Sequence, residues 1–169
     1  MMKQISSFVL PFVVVIVVPF CLIFDFYRGS LKVFDPWLVL QSVVGGLLCF
    51  AGLVLLVATI SLFVRQGKGT LAPWDPTSRL VVAGPYAYTR NPMIGGVAFL
   101  VLGEAALVGS VAVFVWFAFI VVVNTIYVKL SEEPGLVKRF GSEYEEYRRH
   151  VPMWFPRFTP WRDAARREQ

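Results

Sequence analysis

Two short groups of residues in this 169-residue chain have the types and spacing to do chemistry. In Arg90-Asn91-Pro92, asparagine is a favoured N-cap and proline suits a first helical position. The helix start so formed offers free amide N–H groups and a partial positive charge beside a guanidinium. That combination suits a carboxylate or another anion; it suits equally a capped membrane helix that Arg90 anchors at the headgroups. Glu132-Glu133 places two acids directly before Pro134, which has no N–H for a helix. Acids held at such a break could grip hydroxyl or amino groups, although adjacent acids at a first turn are often only a solvated helix start. Glu104 stands alone in an apolar run, about 18 Å along a helix counted from Pro92. A carboxylate there should face other helices, either bonded to Gln41, Asn124 or Thr125 or serving catalysis. The only histidine, His150, lies among arginines and reads as an interfacial surface residue. Cys21 and Cys49 lie in apolar runs without metal-ligand spacing and read as small buried hydrophobes, so no metal site is expected. Neither a G-x-G-x-x-G nor a Walker sequence is present.

The elements that position these groups belong in a bilayer. A composition 57% hydrophobic and 16% charged, with mean hydropathy +0.66, excludes a water-soluble enzyme and a disordered tail. Charge-free stretches, at about 20 residues per span, predict an all-α integral membrane protein of four or five transmembrane helices in a single domain, 1–169. The spans fall at about 5–26, 37–64, 92–109 and 111–129, with a tight turn at Gly109-Ser110. The first resembles a signal peptide in its opening but has no small-residue cleavage site after it, and is read as a retained span bent at Pro11 and Pro19. With both termini in the cytoplasm, fourteen of the sixteen basic residues lie on that side. The high pI is thereby explained without nucleic acid. Two cytoplasmic segments remain, a connector at 65–91 and a C-terminal segment at 130–169. The connector has Trp74, Tyr86, Tyr88 and Leu80-Val81-Val82 with which to pack. In the C-terminal segment, Gly141 separates two short helices. Ser142 and Glu145 form a capping box for the second, whose Tyr144, Tyr147 and Val151 share a face.

Taken together, Gly84-Pro85-Tyr86 and Arg90-Asn91-Pro92, then Glu132-Glu133-x-x-Leu136, Phe140-Gly141-x-x-Tyr144-x-x-Tyr147 and Val151-Pro152, resemble the isoprenylcysteine carboxyl methyltransferases and their phospholipid-methyltransferase-like relatives. The resemblance runs from about Thr70 to Arg157. It implies helical membrane proteins that use S-adenosylmethionine, bound at the cytoplasmic surface in a pocket formed by the connector and the C-terminal helices. Carried over by position, the cofactor contacts are Arg79, Leu80, Val81, Tyr86, Asn91, Pro92, Met93, Ile94 and Glu132. Arg90 and Glu133 stand at the reaction centre. Asn91 replaces the histidine usual in the eukaryotic enzymes, and a cap survives that change. Val128 replaces an arginine that holds the substrate carboxylate, with Lys129 beside it. The implied activity is methyl transfer to a lipophilic, membrane-partitioned acceptor: a prenylcysteine-like carboxylate, or a lipid amine or hydroxyl. Two other classes remain open, a non-catalytic membrane scaffold that keeps the fold and a reductase of the sterol-reductase type, for which 169 residues leave little room.

Overall fold

A computed structural model describes residues 13–24, 36–66 and 80–161. Every regular element among the described residues is helical. The openings of the first span and of the connector, Trp74 and Arg79 included, lie outside them. The helices are α1 (Val18–Phe24), α2 (Pro36–Gln66), α3 (Pro92–Val108), α4 (Val111–Tyr127), α5 (Glu133–Phe140) and α6 (Ser142–His150). Trp37–Leu62 and Val111–Phe140 are long and apolar enough to cross a membrane, and Pro92–Val108 is a shorter apolar helix. Leu47, Phe50, Val111 and Phe119 are exposed along α2 and α4, the inverse of a soluble surface and the pattern expected where lipid is the solvent. The same reasoning corrects the expectation for Cys21, which is exposed: in lipid an apolar side chain need not be buried in protein.

Two π turns, Val13–Val17 before α1 and Val128–Glu132 before α5, stand in the same relation to a proline, Pro19 or Pro134, at the second position of the following helix. A proline ring clashes with the carbonyl four residues back and offers it no N–H. Widening the turn by one residue accommodates both defects. The Glu133 N–H accordingly reaches back to the Val128 carbonyl, and the helix continues past Pro134 instead of stopping there. For Val14 the amide five residues on belongs to Pro19; the Trp116 indole N–H donates to that carbonyl instead, at 3.2 Å.

The residues gather into two compact units. In the first, residues up to Val54 join Gly96–Val123. Here α2 meets α3 backbone to backbone: a Cβ on Gly52 would come within 2.7 Å of the Gly96 carbonyl, and one on Gly45 within 2.8 Å of the Gly103 carbonyl. Cys49 lies between them and donates its thiol to the Leu100 carbonyl at 3.7 Å. Val101, Ala105, Val113 and Ile120 form the core where α3 packs on α4. The turn joining those helices is Gly109-Ser110, with Gly109 at φ +65°, a left-handed conformation that favours glycine.

The second unit holds Leu55–Gly95 and the chain from Asn124 onward. Its core is Leu80, Tyr144, Tyr147 and Val151, packed against Leu136, Val137, Phe140 and Trp161. The tyrosines therefore present the face their spacing predicts. The capping box does not form: Gly141, at φ 54° and ψ −130°, takes the N-cap position, no side-chain cap bond is made, and Ser142 is already helical. Residues 152–161 form a strap over the connector. Arg90 N–H donates to the Pro152 carbonyl at 2.9 Å, Thr89 Oγ1 to Met153 at 2.8 Å, Arg157 N–H to Tyr88 at 3.0 Å and Trp161 N–H to Ala87 at 2.9 Å.

Candidate active site

The expected site residues that are described, Leu80 through Glu133, all belong to the second unit. Three pieces of backbone carry them: the connector around a 3₁₀ turn at Gly84–Ala87, the first turn of α3, and the π turn entering α5. Pro85 presets the 3₁₀ turn, and Pro92 opens α3 with the Asn91 carbonyl accepting from Gly95 N–H at 3.0 Å.

Arg90 and Glu133 form the centre of the arrangement. Glu133 is buried, and its Oε1 accepts from Arg90 Nη1 as both hydrogen bond and ion pair. Arg148 Nη1, from α6, stands 3.6 Å from Oε2. Burying one carboxylate costs several kcal/mol unless cations and hydrogen bonds offset it, and here both oxygens face guanidinium groups. The Tyr144 hydroxyl lies within hydrogen-bonding reach of Arg90. Burial pushes that hydroxyl up from its ordinary value and Glu133 adds to the shift, while Arg90 opposes it. The block around Arg90 and the acidic pair, more than forty residues apart in sequence, thus meet through a single ion pair.

Among the described residues, two donors beside this pair have no acceptor. Arg90 Nε and Asn91 Nδ2 are enclosed and unpartnered at the opening of α3. Buried donors are rarely left so, and at a helix N-terminus they add to a surplus of positive character that a carboxylate would satisfy. Glu132 has the opposite character. Burial and then Glu133 raise its carboxyl above the usual range, and no cation stands within ion-pair distance among the described residues. Tyr86 is half-buried and close enough to Glu132 that the acid's charge, after burial, holds the phenol well above its ordinary value and therefore neutral. An unpaired acid beside an aromatic ring attracts cations.

Of the remaining expected residues, Leu80 is buried in the core and Pro92 is buried at the helix start. Val81, Met93 and Ile94 are half-buried, and Arg79 lies outside the described residues. Val128 is buried, and Lys129 beside it is exposed. Glu104 belongs to the first unit, where its Oε2 is enclosed without a hydrogen bond among the described residues; this oxygen makes no interhelical bond, one of the two readings open for the residue. His150 stacks on Trp161 with centroids 5.9 Å apart, a packing role. Sequence reasoning missed Arg148, which reads only as part of a basic run, and placed Tyr147 in a motif and on a helix face without its bond to the site: its hydroxyl donates to the Tyr86 carbonyl at 2.7 Å and steadies that turn. It also missed the strap, whose long-range backbone bonds leave no local signal.

The sequence profile of the phospholipid methyltransferase family matches residues 40–143, well over half the chain. The protein-S-isoprenylcysteine O-methyltransferase of Schizosaccharomyces pombe is 35% identical over 77 residues, which cover 46% of this chain and 33% of that protein. The aligned stretch thus spans about a third of the length of the curated relative. No solved structure matches.

Proposed function

The chain belongs to the phospholipid methyltransferase family, and from that premise we propose that it transfers the methyl group of S-adenosylmethionine to a lipophilic acceptor within the membrane, at a site on the cytoplasmic face. The observation that carries this reading is the buried Arg90–Glu133 pair, which joins the connector block to the acidic block. Both names support an acceptor with an apolar tail, phospholipid in one and isoprenylcysteine in the other. A water-soluble acceptor would need no site between membrane helices. The distribution of basic residues supports four spans with both termini inside.

The residues present fit the cofactor. The unpartnered Asn91 Nδ2 and the free amides opening α3 would hold the carboxylate of its methionine moiety. Glu132 would take the ammonium or the ribose hydroxyls, and the Tyr86 ring would lie against the sulfonium or adenine. Leu80 and Val81 would offer backbone groups to adenine, with Arg79 preceding them. Pro92, Met93 and Ile94 would complete the apolar side. When bound, S-adenosylmethionine supplies an electrophilic methyl on a positively charged sulfur. The protein's part is to hold the acceptor in line with it and to exclude water. Glu133 and Tyr144 fix Arg90, and Arg90 orients an anionic head group. A carboxylate acceptor then needs no base; for an amine, the acids of the site are Glu132 and Glu133. Buried Val128, in place of the arginine the eukaryotic enzymes carry, leaves the head group open between these two.

Calorimetry on the purified protein in detergent tests the reading. S-adenosylhomocysteine should bind, and Glu132→Ala or Tyr86→Ala should weaken it about tenfold or more, which is about 1.4 kcal/mol. Absence of binding to the parent protein would overturn it in favour of a scaffold.

A further inference from the structure

The strap at residues 152–161 carries Trp154, Phe155, Phe158 and Trp161 with Arg157 among them. Its aromatic side chains divide between two directions. Trp161 packs inward on Tyr147, centroids 5.6 Å apart, and Trp154 is half-buried. Phe155 is 85% exposed and Phe158 fully so, both clear of the rest of the described chain. Yet the backbone between them is not loose. Arg157 donates its N–H to the Tyr88 carbonyl and Nη1 to the His150 carbonyl at 2.9 Å, and further backbone bonds tie the strap at Arg90 and Ala87. Two phenylalanines are thus held outward on a fixed segment.

Their position relative to a bilayer follows from α3, given the four-span topology proposed above. Its 17 residues span about 25 Å, less than a hydrocarbon core of ~30 Å. A short span draws its flanking residues down to the hydrocarbon boundary. Those residues are Ala87 to Asn91, to which the strap is bonded. The strap therefore sits at the depth where aromatic side chains collect in membrane proteins, and the exposed Arg149 of α6 supplies cationic charge near it.

We propose that the strap is an interfacial anchor: Phe155 and Phe158 enter the boundary between headgroups and acyl chains of the cytoplasmic leaflet, with neighbouring Arg149 on anionic phospholipid headgroups. Through its bonds to residues 87–90, contact with the bilayer also steadies the backbone that presents Arg90.

The full chain, with Cys21→Ser and Cys49→Ala, is placed in nanodiscs of phosphatidylcholine and phosphatidylglycerol. A polarity-sensitive fluorophore is attached in turn to Phe155→Cys, Phe158→Cys and, as a reference within α3, Phe99→Cys. Lipids carrying a nitroxide near the carboxyl end of the acyl chain should quench both strap positions roughly twofold, while aqueous iodide spares them. The reference should respond to nitroxides placed deeper. Strap labels quenched by iodide, with the reference quenched by lipid, would overturn the anchor alone. Strap labels reached by neither quencher would also overturn it and point to a protein partner. A reference untouched by lipid nitroxides would overturn the topology and the anchor with it. None of these readouts depends on methyl transfer.

Discussion

Arg90 and Glu133 hold each other in a place where neither would be stable alone, and that dependence can be measured. Glu133→Ala leaves Arg90 enclosed without its counter-charge and should cost about 3–5 kcal/mol of stability. Converting both residues to apolar ones of similar volume should cost much less than the two single changes added together, which a double-mutant cycle from thermal unfolding in detergent would reveal. Additive effects would mean that the pair is not coupled. Glu132 makes a different prediction, because its carboxyl is raised by burial and then by Glu133. An acid with a raised folded-state value holds its proton more tightly folded than unfolded, so between the ordinary and the raised value stability falls as pH rises. Glu132→Gln should therefore unfold at a higher temperature than the parent near neutral pH, and the gain should vanish on acidification below the ordinary carboxylate range. Under the proposed function, with Glu132 on the ammonium or the ribose hydroxyls, the same change should weaken binding of S-adenosylhomocysteine. A glutamine variant no more stable than the parent at neutral pH would contradict the buried charge. Both acids and Arg90 were legible in the sequence as motifs. Their pairing was not, because the ion pair depends on how far the helix turns between Val128 and Glu133.

At the scale of elements, the α2–α3 contact makes the sharpest demand. Gly52→Ala or Gly103→Ala would push a methyl group into backbone atoms of the facing helix, which cannot yield as a side-chain tip can. Each should cost about 1–3 kcal/mol. Gly46→Ala meets nothing within 4 Å among the described residues and should be neutral or slightly stabilising, so thermal unfolding of the three variants isolates the contact from helix propensity. Equal effects at all three positions would argue against the close approach. The turns at Gly109 and Gly141 could be read from the sequence because a glycine between helical stretches marks a conformation that other residues avoid. The glycine contact itself could not, since a glycine on an apolar helix looks the same whether it faces lipid or a neighbour. The capping box misled for a local reason: Gly141 took the cap position and left the Ser142 hydroxyl inside the helix.

For the molecule as a whole, the basic residues predict sidedness. A cysteine at Glu143, exposed on α6, should react with a membrane-impermeant maleimide in inside-out vesicles and be protected in right-side-out ones. Labelling with the opposite sidedness would invert the topology. Composition already excluded a soluble protein, since lipid-facing helices need apolar residues on all sides, while the placement of the strap emerges only once the chain is folded. The π turn before α5 has one further consequence. Each residue of an α-helix advances the side chains by about 100°, so the extra residue accommodated at Val128–Glu132 sets the compass bearing of everything after it. A chain shortened by one residue there would keep Arg90, Asn91 and both acids, yet swing Glu133, with Arg148 beyond it, about a quarter-turn away from Arg90. The candidate site can thus be lost by miscounting, with none of its residues changed.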